Sequence, residues 1–215
     1  MAMANAVDLP FVVKICGITN VEDAMAAVEA GADALGFNFY PASPRYITPQ
    51  RAQQVIAAVP GDYLRVGVFV NPTSDELFEI TQQVPLDVLQ LHGDACGAVS
   101  LPKPYRIWRS MAPQNHDATE SDGAEAYLLD TPTPEFGGSG QTFDWNLARS
   151  RSFRVILAGG LHSSNVAEAI HTVKPWGVDA CSRLESSPGK KNVQEVRAFV
   201  HAARAANQMM GRKNI

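Results

Sequence analysis

A cysteine and an aspartate, each at the end of a short apolar run, could together supply a base and an acid. Cys16 closes the run 12–16 and precedes Asn20, which is a favoured helix N-cap residue. Helix N–H groups near the sulfur would favour its thiolate form. Asp130 closes the run 126–129, where partial desolvation would raise the pKa of its carboxyl group. The two residues therefore predict proton-transfer chemistry.

Both assignments have a structural alternative that the local sequence leaves open. A free cysteine often packs as a small hydrophobic residue in the core, which would account for Cys16. An aspartate followed by Thr-Pro often starts a loop through an Asx turn, which would account for Asp130.

Three further segments could bind an anion. The segment LAGGL at 157–161 precedes a predicted helix, and its glycines would let the backbone approach an anion or, alternatively, let strand and helix pack closely. Arg45 lies in the proline-stiffened loop YPASPRY, where it could hold a carboxylate or phosphate through two hydrogen bonds or form a surface ion pair. The cluster GGSG at 137–140 is more typical of a flexible lid than of a phosphate cradle.

These residues need a scaffold, and eight apolar runs alternate with helical patterns along the chain. The predicted strands span 12–16, 34–37, 64–70, 88–91, 105–109, 126–129, 154–157 and 177–181. The clearest helices span 21–30, 49–59, 74–83, 163–173 and 193–207. Uniformly apolar strands pair in parallel under a cover of helices, so the pattern predicts an α/β protein with a closed (β/α)8 TIM barrel. We expect a single domain over 1–215, with a core at about 12–205 and frayed residues at 208–215.

The alternative fold is an open doubly wound sheet. Such a sheet usually has fewer strands and a GxGxxG turn after the first one, whereas this chain reads CGITN there. The barrel is favoured, and it predicts reactive groups at the carboxyl ends of the strands and phosphate near the last two loops.

Composition argues against several classes of protein. The chain has 215 residues and a formal net charge of −4, so it lacks the basic surface typical of nucleic-acid binding. It has no apolar run long enough to span a bilayer and no secretory signal pattern, which predicts a cytoplasmic protein without a membrane partner. Its cysteines, Cys16, Cys96 and Cys181, are widely spaced, which predicts neither a disulfide framework nor a zinc site.

Seven motifs carry a more specific indication. The chain contains VKICGIT, GFNFYPASPRYI, RVGVFVN, VLQLHG, YLLDT followed by GGSGQTFDW, LAGGL and ESSPGKK, in this order between about 12 and 200. In order and spacing these motifs closely resemble the phosphoribosylanthranilate isomerase family of tryptophan biosynthesis. The resemblance implies a (β/α)8 barrel that catalyses an Amadori rearrangement, converting an aminoaldose into an aminoketose without a metal or other cofactor.

The resemblance also implies roles for single residues. Cys16 corresponds to the general base of the family, and Asp130 corresponds to its general acid. Arg45 corresponds to the arginine that holds the anthranilate carboxylate. The phosphate of the small-molecule substrate would be bound by backbone amides at Gly159, Gly160 and Ser182. Enzymes of this kind occur as monomers or homodimers.

The chain departs from the family pattern after its eighth predicted strand. Arg183 stands where relatives usually have glycine, and Asn192 replaces a common aspartate. An arginine at this point would either be strained or crowded, or would form an ion pair with the phosphate, and we hypothesise the ion pair. Asp179, just before, is expected to orient the substrate or to neighbour Cys16, where its charge would oppose the thiolate.

Two other functions are alternatives to the isomerase. The related isomerase of histidine biosynthesis has an aspartate where this chain has Cys16, which argues against it. A phosphate-binding barrel without catalytic activity would account for Arg183, but it leaves Cys16, Asp130 and Arg45 without a purpose.

Overall fold

The structure, a computed structural model, describes residues 11–93, 105–115, 123–131 and 140–212. Its barrel strands are β1 (Val12–Ile15), β2 (Ala34–Asn38), β3 (Leu64–Val70), β4 (Val88–His92), β5 (Arg106–Met111), β6 (Ala126–Leu129), β7 (Val155–Leu157) and β8 (Gly177–Ala180). Each strand pairs in parallel with the next one, and β8 pairs with β1, so the sheet closes on itself. The predicted (β/α)8 barrel is confirmed.

Helices cover the outside of the barrel. In the described ranges they are α1 (Val21–Glu29), α2 (Pro49–Ala58), α3 (Ser74–Gln83), α4 (Val166–Val173) and α5 (Val193–Arg212), with short 3₁₀ helices at Trp145–Ala148 and Ser182–Leu184. Asn20 caps α1 as predicted, because its side-chain oxygen accepts a hydrogen bond of 2.8 Å from the Asp23 amide. A small antiparallel hairpin of β9 (Glu185–Ser187) and β10 (Lys190–Lys191) follows β8.

Two predicted boundaries are wrong by three residues or more, both in helices near the end of the chain. Helix α5 continues to Arg212, so residues 208–212 are not frayed as expected, and Met210 packs against the core beneath them. Helix α4 begins only at Val166, because residues 163–165 form a turn. The sequence also predicts weaker helices after the fourth, fifth and sixth strands. Residues 94–104 and 116–122, where the first two would lie, are outside the described ranges, and the described residues between β6 and β7 form the 3₁₀ helix Trp145–Ala148.

The period of two along each strand decides what reaches the interior of the barrel. Part of that interior is an apolar cluster made of Val12, Ala34, Val66, Val88, Trp108, Ala126, Leu128, Ile156 and Ala158. The next inward-facing residue on β1 is Lys14, which pairs in register with Asp179 on β8. One more step along each strand leads to Cys16 and Cys181. The alternation therefore carries polar and thiol side chains to the carboxyl end of the barrel.

In the described ranges, no helix is both long and apolar enough to span a membrane.

Candidate active site

The carboxyl ends of the strands bring the predicted base and acid to the same rim. Cys16 directly follows β1, and Asp130 directly follows β6. The charges of Cys16 and Asp179 both act on the Asp130 carboxyl group. These three side chains, far apart in the chain, therefore share one electrostatic environment.

The surroundings of Cys16 favour its thiolate. The neighbouring Cys181 thiol is the main cause that lowers the pKa of Cys16 to about 6; the positive charge of Lys14 adds to it, while burial and Asp179 oppose it. The Cys16 sulfur, together with burial, raises the pKa of Cys181 well above its ordinary value. A thiol with a low pKa was expected at Cys16, but its main cause is a neighbouring strand end rather than the N-terminus of α1.

Lys14 supplies a fixed positive charge beneath the sulfur. Its side chain is fully buried, and Nζ lies 2.9 Å from Oδ1 of Asp179. Burial alone would lower the pKa of Lys14, but the charges of Asp179 and Cys16 raise it above its ordinary value. The ammonium group therefore stays charged, as a buried ion requires a partner of opposite charge.

Two glycines leave the space that these groups occupy. A Cβ atom at Gly36 on β2 would lie 2.7 Å from Sγ of Cys16 and 3.0 Å from Nζ of Lys14. Gly17 has a φ of +74°, and a Cβ atom there would lie 2.8 Å from Sγ of Cys181. The glycine that follows Cys16 in the sequence therefore makes room for the second thiol and also permits the left-handed backbone turn.

Asp130 has the opposite electrostatic environment. Burial first, and the negative charge of Asp179 second, raise the pKa of Asp130 to about 7, although the Thr131 amide donates a hydrogen bond of 2.7 Å to its Oδ1. The direction of this shift is the one that the sequence predicts. This hydrogen bond joins adjacent residues, whereas the Asx turn of the alternative interpretation would join Asp130 to residue 132, which lies outside the described residues.

Arg45 is held beside the two thiols by a carboxylate. Its Nε and Nη2 donate hydrogen bonds of 3.0 Å and 2.8 Å to Oε1 and Oε2 of Glu185. Nζ of Lys191 lies 2.9 Å from Oε1 of the same carboxylate. Burial opposes the charge of Glu185, but Arg45 and Lys191 lower its pKa, so the carboxylate stays ionised. Nη1 of Arg45 has no hydrogen-bond partner among the described residues.

The loops after β7 and β8 form the remaining side of the rim. Gly159 and Gly160 have φ angles of +84° and +61°, and Cβ atoms there would lie 2.5 Å from Oγ1 of Thr131 and 2.7 Å from the carbonyl carbon of Gln141. Glycine is therefore required at both positions, because neighbouring atoms approach closely and because the backbone has a positive φ. Both glycines line a small cavity together with Asp130, Asp179, Ser182 and Arg183.

Arg183 fits into this rim without backbone strain. It lies in the 3₁₀ helix Ser182–Leu184 and is not among the described residues with positive φ. Its side chain is exposed and passes Gly140, where an added Cβ atom would lie 3.1 Å from Cδ of Arg183. Of the two outcomes considered for an arginine here, the strained backbone is therefore wrong.

Comparison with known proteins identifies the family. The model of the family described as N-(5'phosphoribosyl)anthranilate (PRA) isomerase matches residues 13–202. The chain belongs to this family. Among its relatives, the N-(5'-phosphoribosyl)anthranilate isomerase of Solibacter usitatus is 49% identical over 199 residues, which are 91% of this chain and 98% of the relative.

Solved structures of phosphoribosylanthranilate isomerases have the same fold. One of them, in complex with reduced 1-(o-carboxyphenylamino)-1-deoxyribulose 5-phosphate, is 36% identical with a TM-score of 0.75, and the match covers 91% of this chain and 99% of that chain. Another, of monomers of the dimeric enzyme from Thermotoga maritima, is 36% identical with a TM-score of 0.74 and the same coverage, 91% and 99%.

Sequence reasoning missed three residues around the proposed base of this isomerase family member. Lys14, Cys181 and Glu185 were not assigned to the site, although all three lie within its network of charges and hydrogen bonds. Lys14 gave a usable signal, because a charged residue inside an otherwise apolar strand must have a buried partner. Cys181 gave a weaker one, since it ends the last strand as Cys16 ends the first.

Two other features near the strand ends have different explanations: His92, which ends β4, and the predicted lid. His92 is buried, its Nε2 lies 2.7 Å from Nε2 of Gln90, and burial together with the charge of Lys14 lowers its pKa to about 4, so it is neutral. The predicted lid at 137–140 lies outside the described residues except for Gly140. Within the described ranges, no group of three or more histidine, cysteine, aspartate or glutamate residues is arranged to hold a metal ion.

Proposed function

We propose that this chain is an aldose–ketose isomerase that converts N-(5-phosphoribosyl)anthranilate into 1-(2-carboxyphenylamino)-1-deoxyribulose 5-phosphate, a step of tryptophan biosynthesis. Membership of the family supports this activity. The observation that carries it is the pair of opposite pKa shifts at one rim, to about 6 for Cys16 and about 7 for Asp130. Near neutral pH, one group is a base and the other still holds a proton.

The first step of the rearrangement needs an acid. The ribose ring opens when its ring oxygen gains a proton while the nitrogen lone pair forms a C=N bond at C1′, giving a Schiff base. Asp130 is the proposed donor, because its raised pKa keeps a fraction of the carboxyl group protonated near pH 7. The negative charge of Asp179 raises the pKa of Asp130, so Asp130 keeps its proton until the ring oxygen accepts it.

The second step needs a base. Removal of the proton on C2′ of the Schiff base gives an enolamine, which becomes the aminoketose when C1′ gains a proton and the hydroxyl group on C2′ loses one to form the ketone. Cys16 is the proposed base, because its lowered pKa leaves most of the thiol ionised at neutral pH. Lys14 keeps that sulfur near a positive charge throughout. No net proton is gained or lost, as an isomerisation requires.

The two ends of the substrate would be held on opposite sides of these groups. We assign the anthranilate carboxylate to Arg45, whose Nη1 is available while Glu185 fixes the other two nitrogens. We assign the phosphate to the backbone at Gly159, Gly160 and Ser182, with an ion pair from Arg183. Replacing Arg183 by glycine should then raise the KM, and an unchanged or lower KM would remove Arg183 from the phosphate site.

The experiment that tests this function follows the fluorescence of freshly made phosphoribosylanthranilate. Wild-type protein is compared with Cys16→Ser and Asp130→Asn, each shown to be folded by circular dichroism. We expect the signal to disappear with the wild type alone, because loss of either the base or the acid lowers the rate roughly 100- to 10,000-fold. No turnover by folded wild-type protein would contradict the proposal and favour a binding-only barrel.

Two coarser expectations accompany the activity. We expect a monomer or a homodimer, and one of the related enzymes is described as dimeric. A cytoplasmic location remains a prediction from the sequence. Sedimentation of the purified protein would decide between the two oligomeric states.

A further inference from the structure

Cys181 has no part in the proposed reaction, yet it lies beside the proposed base. Ile15 and Ala180 are paired in register across β1 and β8, and the Cys16 amide donates a hydrogen bond of 2.9 Å to the Ala180 carbonyl. Cys16 follows Ile15 in the chain, and Cys181 follows Ala180. Their side chains therefore leave adjacent strand ends towards the same side of the sheet.

The backbone around Cys16 is adapted to this neighbour. A Cβ atom at residue 17 would lie only 2.8 Å from Sγ of Cys181, so the second sulfur occupies the space that a side chain following Cys16 would need. Gly17 therefore leaves room for the Cys181 sulfur directly beside the residue that follows the proposed base. The direction of the single Cys181 thiol hydrogen then decides which neighbouring atom accepts it.

The surroundings of Cys181 decide where its hydrogen points. Nζ of Lys191 donates to Sγ of Cys181 at 3.7 Å, which uses the sulfur as an acceptor. Sγ of Cys181 is placed to donate a long hydrogen bond of 3.9 Å to Oε1 of Glu185, but that oxygen already accepts from Arg45 Nε, Lys191 Nζ and the Gly189 amide. A carboxylate oxygen has about two lone-pair directions, so Oε1 has little capacity for a fourth donor. The remaining acceptor is the sulfur of Cys16.

We propose that Cys181 is a positioning residue that donates its thiol hydrogen to the Cys16 sulfur and thereby holds that sulfur as an oriented thiolate. This inference rests on the proposed function of Cys16 as the base. The charged groups that face Cys16 are Lys14 on β1, Asp179 on β8, Asp130 after β6, Arg45 after β2 and Lys191 on β10. Cys181 differs from all of them because it donates a hydrogen bond without carrying a charge.

The role of Cys181 predicts how its replacement changes the base. Cys181→Ala removes the donor, and a hydrogen bond to a charged group is strong enough that the midpoint of Cys16 ionisation should rise by about one to two pH units. Cys181→Ser keeps a donor at the same atom position, so its midpoint should stay close to that of the wild type. The serine variant is the matched control for simple loss of packing.

The measurement is a pH titration of thiolate absorbance in the ultraviolet, with Cys16→Ser as the blank that isolates the signal of Cys16. Thermal unfolding of each variant shows whether it is folded at the pH values used. Because this titration needs no substrate, it tests the inference even if the proposed activity is absent. The pH profile of kcat/KM gives a second readout, in which only the acid limb should move in Cys181→Ala.

The possible outcomes separate the alternatives. A rise in the Cys16 midpoint in Cys181→Ala, with the wild-type value retained in Cys181→Ser, supports the positioning role. An unchanged midpoint in Cys181→Ala means that the thiol hydrogen points to Glu185 and overturns the proposal. Equal rises in both variants mean that packing of the sulfur, not donation, is responsible, and this also overturns it.

Discussion

On the β1–β8 side of the rim, Cys16 lies beside a buried ammonium group and a thiol donor, and its pKa falls to about 6. On the β6 side, the Asp130 carboxyl group lies near another carboxylate, and its pKa rises to about 7. Burial raises the pKa of both groups, so burial does not distinguish them. The difference comes from the partners, which are a cation and a donor in one case and an anion in the other.

Asp179 connects the two sides of the rim. It pairs with Lys14 and so holds the cation below Cys16, while its charge helps to keep Asp130 protonated. The Asp179 carboxylate therefore contributes to both pKa shifts, although its own charge raises the pKa of Cys16. The proposed base and the proposed acid therefore depend on one shared buried ion pair.

Breaking the shared ion pair should have the largest effect. Lys14→Met leaves Asp179 without its buried partner, so the free energy of unfolding should fall by about 3–5 kcal/mol in denaturant titrations. The matched control is Arg197→Met, which breaks the pair with Glu29, where the side chains are 60% and 56% exposed. That variant should lose less than about 1 kcal/mol. Equal losses in the two variants would contradict a structural role for the buried pair.

Crowding Cys16, the proposed base, should reduce turnover as well as stability. The methyl group of Gly36→Ala would collide with Sγ of Cys16 and Nζ of Lys14. Because a small displacement of the Cys16 sulfur misaligns it with the substrate, kcat should fall roughly 100-fold. Gly67→Ala is the control, because its added Cβ atom would lie 2.6 Å from Cδ1 of Leu86 in the apolar core. Both variants should unfold at a lower temperature, but only Gly36→Ala should have a reduced kcat in steady-state assays. A similar kcat for the two would count against this packing.

Weakening the proposed contact between Arg45 and the substrate carboxylate should have the smallest of these effects. Arg45→Lys cannot keep two hydrogen bonds to Glu185 while presenting a further nitrogen to the substrate, so the KM should rise roughly tenfold. Since Arg45 is not proposed to transfer protons, kcat should change less than the KM. A drop in kcat at an unchanged KM would mean that Arg45 acts in the chemical step instead.

Local sequence was sufficient for much of the fold and for part of the site. Apolar runs of strand length, separated by capped helices, predicted the barrel because each unit is recognisable from its own residues. The raised pKa of Asp130 followed from its position at the end of a buried strand. The end of α5 was misjudged, since the packing of Met210 on the core depends on tertiary structure.

The environment of Cys16 could not be read in the same way. Its influential neighbours, Cys181 and Asp179, reach it only because β8 closes the barrel against β1, and the Lys14–Asp179 contact joins residues 165 positions apart. The Arg45–Glu185 pair likewise spans 140 positions. Local patterns carry no record of such contacts, so the cause of the low pKa was assigned to α1 instead of to barrel closure.

The most direct test of opposite shifts at one rim is the pH dependence of kcat/KM for the wild-type enzyme. The proposed mechanism requires ionised Cys16, so activity should rise with pH through about 6, and it requires protonated Asp130, so activity should fall through about 7. We predict a bell-shaped profile with its maximum between these limbs. A profile that keeps rising into alkaline pH, or one without an acid limb, would contradict the account of this base and acid.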